Sequence, residues 1–178
     1  MDGAGAGDKG EVFLATTALE GFWDTSRHMV FLGQWCRRYD RAFLWGPLNG
    51  SVIKSPWDDA ERLQTACGYV KTLYERILPA LAVQLNSMHG VEQSERYWRI
   101  LLGPWLIYYI PAVYDRYVTL LDAFEKYPSL TTTVLSEDAF ATPVDTLEFA
   151  QLLKDDPYNL QIYSLILKLS GRDFPAKK

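Results

Sequence analysis

The sequence predicts a helix-rich α/β fold: a small, parallel, Rossmann-like sheet covered by long helices. Three observations predict it. Short runs rich in apolar and β-branched residues lie at 11–19, 28–35, 51–54 and 131–135. Apolar residues recur every three or four positions through the long stretch 59–88, the spacing of one helix face. The two kinds of segment interleave, and a helix between strands is the usual crossover of a parallel sheet.

The 178 residues fit one domain, with a disordered tail at 1–10 and a single α/β unit at 11–178. A composition of 48% hydrophobic and 22% charged residues can build a core without disulfides or a structural metal. The 14% aromatic share is high. Flat rings fill cores, and they also stack on sugars and bases.

The elements follow in order. Glu11–Leu19 reads as the first strand, with a turn or short helix over Gly21–Ser26. His28–Trp35 reads as a buried second strand and Ser51–Lys54 as a third extended piece. Ser55 or Asp58 then caps a helix from Asp59 to about Met88, which Pro79 kinks or divides. His89-Gly90 stops it. A second long helix runs from near Ser94 toward Tyr127, bent at Pro104 and Pro111. Its apolar run 100–113 is shorter than the roughly 20 residues a membrane span needs, so it reads as a buried helix. Thr131–Leu135 reads as one strand, Thr142-Pro143 as the opening of a helix, and Tyr158–Leu169 as the last helix before Gly171.

Charge and cysteine content narrow the function classes. A net charge of −4 gives no general attraction for phosphate backbones, so nucleic acid is not an expected partner. Two histidines and two isolated cysteines, Cys36 and Cys67, do not make a zinc pattern, and reduced thiols are expected. Neither a glycine-rich phosphate loop nor a nucleophile triad is present, and no cofactor motif is evident.

Candidate site residues fall in four places. In open α/β sheets ligands gather beyond the carboxyl ends of strands, which here means Thr16, Thr17, Gly33 and Trp35. Glycine at 33 would admit a ligand or another backbone closely, although threonines that cap and a Trp35 that packs are the plainer reading. Asp58 and Asp59 are adjacent, about 100 degrees apart on a helix, which favours capping over a shared site. The stretch 89–105 is denser. Arg96 and Arg99 share a helix face near a helix start, an arrangement suited to a phosphate or carboxylate, with Tyr97, Trp98 and Trp105 beside them. The same arginines could instead pair with Glu92, Glu95 or Asp115. Finally, Asp155, Asp156, Tyr158 and Asn159 form a polar patch between two helices, where a turn and cap is the plainer reading.

Taken together, LATTALEGFWD (14–24), FLGQWC (31–36), PWDD (56–59), HGVEQSERYWRILLGPWL (89–106) and DDPYNLQIYSLILKL (155–169) resemble a known family. It is the amino-terminal portion of transferases encoded in bacterial O-antigen and other surface-polysaccharide loci, over residues 14–175. The resemblance implies a cytoplasmic glycosyltransferase-like enzyme, peripheral to the inner membrane, similar to one half of a two-lobed GT-B-like sugar transferase. It implies a nucleotide-sugar donor, a sugar or lipid-linked sugar acceptor, and a site completed by a second lobe or subunit; a homo-oligomer is a separate expectation. It carries over no catalytic residue. In this reading Arg96 and Arg99 hold the anionic group, Trp35 and Trp98 form sugar-facing walls, and His89 or Asp58 is the base that takes the acceptor proton. The alternative is a non-catalytic binding or assembly module that keeps the fold.

Overall fold

The computed structural model describes residues 12–178. The expected tail at 1–10, with Glu11, lies outside the described residues. Four strands form one parallel sheet: β1 (Val12–Ala15), β2 (His28–Phe31), β3 (Ser51–Val52) and β4 (Leu130–Thr131), in the order β3-β2-β1-β4. Leu14, Met29, Val30 and Phe31 are almost wholly buried, as expected of parallel strands covered on both faces. The chain leaves β1 in one direction for β2 and β3, then returns to the other side of β1 for β4. The order therefore reverses between β1 and β4, and that is where such sheets open a crevice.

The helices are α1 (Ala42–Trp45), α2 (Ala60–His89), α3 (Glu95–Lys126), α4 (Thr146–Leu152) and α5 (Asp156–Leu169). Leu120 and Ala123 of α3 and Tyr163 and Leu167 of α5 pack on the sheet in the main core. A second parallel pair joins β5 (Val134–Leu135) to β6 (Ala176–Lys177).

Several boundaries differ from the sequence expectation, each for a local reason. β2 ends at Phe31, and the chain turns into a 3-10 segment at Gln34–Cys36 instead of extending to Trp35. The run 131–135 is not one strand. The Thr132 hydroxyl donates to the Leu14 carbonyl at 2.7 Å, a side chain replacing the next ladder bond, and Val134 pairs elsewhere. Asp58 does not cap the long helix. Ser55 caps the 3-10 turn Pro56–Asp58, and the Asp59 carboxylate accepts from the backbone N–H groups of Glu61 and Arg62, both at 3.0 Å. Helix α2 runs unbroken through Pro79, held by Leu78 against Leu106 and Ile110 of α3. Pro143 does not open α4; Asp145 caps it at Thr146. The last helix starts two residues early, with Asp156 and Pro157 in its first turn.

α2 and α3 form an antiparallel hairpin. Gly90, at φ 62°, supplies the left-handed turn after α2. Asn86 ties the connection, donating to the Gln93 carbonyl (2.8 Å) and accepting from Gln93 N (3.1 Å) and Trp98 Nε1 (2.8 Å). The stretch 100–113 is not a buried helix. Leu106 is 1% exposed, whereas Ile107 is 61% and Ile100 70% exposed, because α3 packs along one stripe only. Among the described residues, no helix is long and apolar enough to cross a membrane.

Candidate functional site

The carboxyl end of β1 opens into a crevice of about 260 Å³. Thr16 and Thr17 come directly from the strand end. Trp35 comes from the turn after β2, Asp115 and Arg116 from α3, Lys154 from the α4–α5 connection, and Asp156, Asn159 and Tyr163 from α5. The crevice thus lies beside the point where strand order reverses.

Arg116 is its organising cation. Its guanidinium donates to Asn159 Oδ1 from Nε (3.1 Å) and Nη2 (2.6 Å), to Asp115 Oδ2 from Nη1 (3.0 Å), and to the Ala112 carbonyl. Asn159 in turn donates to the carbonyls of Leu153 (2.8 Å) and Asp155 (2.9 Å), which fixes its amide orientation. The other Asp115 oxygen accepts from Trp57 Nε1. Asp156 faces Arg38, which is shared with Asp40.

Two polar groups in the crevice are unspent. Thr16 and Tyr163 are each 3% exposed, and no other described residue hydrogen-bonds to either hydroxyl. Neither oxygen is sealed from solvent, so both open to the crevice. Burial pushes the Tyr163 phenol well above its ordinary range, which keeps it a neutral donor. Thr17 is differently placed: its hydroxyl accepts from Leu19 N and its carbonyl from Trp23 Nε1. It shapes the strand exit.

The sequence candidates divide into separate places. Thr16, Thr17 and Trp35 share the crevice, with Gly33 beneath Trp35. What approaches Gly33 is the Trp35 ring: a β-carbon at 33 would meet ring atoms at 2.0–2.4 Å. His89, Arg96, Trp98 and Arg99 cluster at the far tip of the hairpin. Along α3 the helical rise puts Arg99 about 26 Å from Arg116. Trp98 is 6% exposed, packed against Tyr97 and stacked on His89, so it is not a wall facing Trp35. Arg99 is held by Glu75 (3.1 and 2.8 Å) and Glu95 (2.9 Å). The Glu75 and Glu95 carboxylates raise its pKa further, and Tyr74 lies beneath it. Arg96 is exposed. His89 and Asp58 stand at opposite ends of the 30-residue α2, about 45 Å apart, and neither lines the crevice.

Sequence reasoning passed over Arg116 and offered Asp115 only as a partner for Arg96 or Arg99, whereas it pairs with Arg116 and Trp57; yet a signal existed. They are the only charged residues between positions 100 and 121. A charged pair inside so apolar a helix needs partners, and Asn159 and Trp57 provide them.

A parallel sheet with a polar crevice at its order reversal defines a Rossmann-like α/β domain. The chain belongs to the LIC12162 family transferase group, whose family model matches residues 12–178. No curated protein and no solved structure matches it.

Proposed function

We propose that this chain carries a sugar-transferase site that works on a nucleotide-activated sugar, in the assembly of surface polysaccharide such as O-antigen. The supporting observation is the crevice, where a fixed guanidinium, a lysine, two unspent hydroxyls and a 43% exposed tryptophan ring converge beyond β1. Arg116 and Lys154 suit a diphosphate, because guanidinium and ammonium groups neutralise charge that builds on a leaving phosphate. Trp35 suits the face of a sugar ring. In this reading an acceptor hydroxyl attacks the anomeric carbon, the bond from that carbon to the diphosphate breaks, and Asp156 takes the hydroxyl proton. Thr16 and Tyr163 hold sugar hydroxyls.

The test is a panel of nucleotide sugars titrated calorimetrically against the full chain. One of them should saturate, and Arg116→Ala should weaken it at least roughly tenfold, the effect of losing a charge-assisted hydrogen bond. Absence of saturable binding by folded protein overturns the reading. A second reading, an assembly module, is favoured by the exposed Val83, Met88, Ile100 and Leu101 on the hairpin. It expects a stable oligomer in light scattering with no sugar-nucleotide affinity.

A further inference from the structure

Helix α3 carries two apolar stripes, and α2 covers one of them. Leu106 and Ile110 pack against Leu78 of α2. On another face Tyr97, Ile100, Pro104, Ile107, Pro111 and Tyr114 recur at steps of three and four, the spacing of a coiled-coil seam. The first five are exposed and Tyr114 is partly buried. From Ile100 to Tyr114, about 22 Å of helix, there is no Asp, Glu, Lys or Arg. A solvent-facing helix surface ordinarily carries charge, so a long uncharged one marks a contact surface. Beside the seam lies a groove of about 560 Å³, between Leu63 and Val70 of α2 and Ile107, Ile110 and Pro111 of α3.

The charges that end the seam indicate what covers it. Arg96 stands exposed at its amino end and has no ion pair among the described residues. Asp115 stands at its carboxyl end, 35% exposed, with lone pairs left over after Trp57 and Arg116 have donated to it. In an antiparallel pair of α3 helices, with a two-fold axis between Trp105 and Leu106, Arg96 of each copy faces Asp115 of the other. The same register sets Tyr97 opposite Tyr114, Ile100 opposite Pro111 and Pro104 opposite Ile107. Sliding by a heptad in either direction shortens the overlap and leaves Asp115 opposite Gly103 or His89. A parallel pair sets like charges together at both ends. Antiparallel pairing also places Leu120 and Ala123, which pack on the sheet, past the other copy's helix start at Glu95, so the two domain bodies clear each other. With the flanking Leu101 and Tyr108, the seam presents on the order of 700 Å² of apolar surface per copy, close to the roughly 800 Å² that each partner gives to a standard interface.

We infer that two copies of this chain associate through α3, antiparallel, with Ile100 and Leu101 of each entering the groove of the other. The pairing is a property of the hairpin and holds with or without a ligand in the crevice.

Sedimentation equilibrium over a range of concentrations should show a dimer of the 20.4 kDa chain. Ile107→Glu, at an exposed seam position, should give a monomer with unchanged circular dichroism. Arg96→Glu should raise the dissociation constant roughly tenfold at low salt and less at high salt, because each dimer contains that contact twice. The register is read by cross-linking in a Cys67→Ser background, which removes the exposed thiol. Mild oxidation of Ile100→Cys protein mixed with Pro111→Cys protein should give a covalent dimer. Ile100→Cys protein alone should not, since its two cysteines would lie about 16 Å apart along the seam, beyond the reach of a disulfide. A chain that stays monomeric at every concentration overturns the inference and leaves the seam to a different protein. A dimer that Ile107→Glu leaves intact, or a mixture that does not cross-link, overturns it as well. A cross-linked dimer without nucleotide-sugar affinity keeps the pairing and removes the transferase reading alone.

Discussion

The Arg116 guanidinium donates twice to the side-chain oxygen of Asn159, at 3.1 and 2.6 Å, and so joins the long helix α3 to the first turns of α5. Asn159 spends its amide on two carbonyls from the α4–α5 connection. Asn159→Ala would take the side-chain donor from the Leu153 carbonyl and two of the hydrogen bonds of Arg116, which would keep only Asp115 and the Ala112 carbonyl. We expect a loss of about 1–3 kcal/mol in urea denaturation. Ligand affinity should fall beyond what stability explains, because Arg116 would no longer be held in place.

Arg96 and Arg99 separate the two locations that the sequence offered for an anion site. If the crevice binds the ligand, Arg99→Ala and Arg96→Ala should leave nucleotide-sugar affinity unchanged. Arg99→Ala should only loosen the hairpin tip, visible as faster hydrogen exchange around Asn86 and Trp98. A loss of ligand affinity in either variant would move the anion site to the tip.

Some of this was readable without coordinates and some was not. The sheet, the long helices and the strand-end residues Thr16, Thr17 and Trp35 follow from local pattern, which sets period and turn. Gly90 and Ser94 likewise mark their helix ends through backbone geometry and a side-chain cap. The Arg116–Asn159 contact spans 43 positions, and nothing in either residue's neighbourhood encodes it. The tip cluster at 89–105 misleads for the opposite reason. Its residues are dense in sequence, but Glu75 lies across the hairpin and takes Arg99, while Asn86 takes the Trp98 indole N–H. The apolar stretch 100–113 looked buried because composition records how apolar a helix is and not how many neighbours it has.

Gly33 and Trp35 offer a second test within the crevice. The ring lies where a β-carbon at 33 would be, so Gly33→Ala must push Trp35 aside or strain the backbone. We expect a cost of about 1–3 kcal/mol, as for other overpacked sites. In a Trp35→Ala background the same change should cost little, and the double-mutant cycle by thermal melting measures the difference. Additive effects would show that the ring does not rest on Gly33.

Cys36 makes stability depend on pH at the alkaline end. Burial pushes its thiol from an ordinary 9.0 up to about 12, and its sulfur lies 3.2 Å from the Ala15 carbonyl, which it serves as donor. Above pH 9 the unfolded chain releases this proton while the folded chain keeps it, so the unfolded state binds fewer protons and stability falls as pH rises. The contribution is complete below about pH 9 and is lost progressively toward pH 12. For this one group the slope reaches about 1.4 kcal/mol per pH unit. Tyr163, also raised by burial, steepens the decline at the upper end of that window. Urea midpoints between pH 8 and 10.5 should therefore fall for the natural chain and fall less steeply for Cys36→Ala, whatever that substitution costs at neutral pH. Parallel slopes in the two proteins would mean that the thiol ionises as easily folded as unfolded, and that Cys36 is not sealed beneath the end of β1.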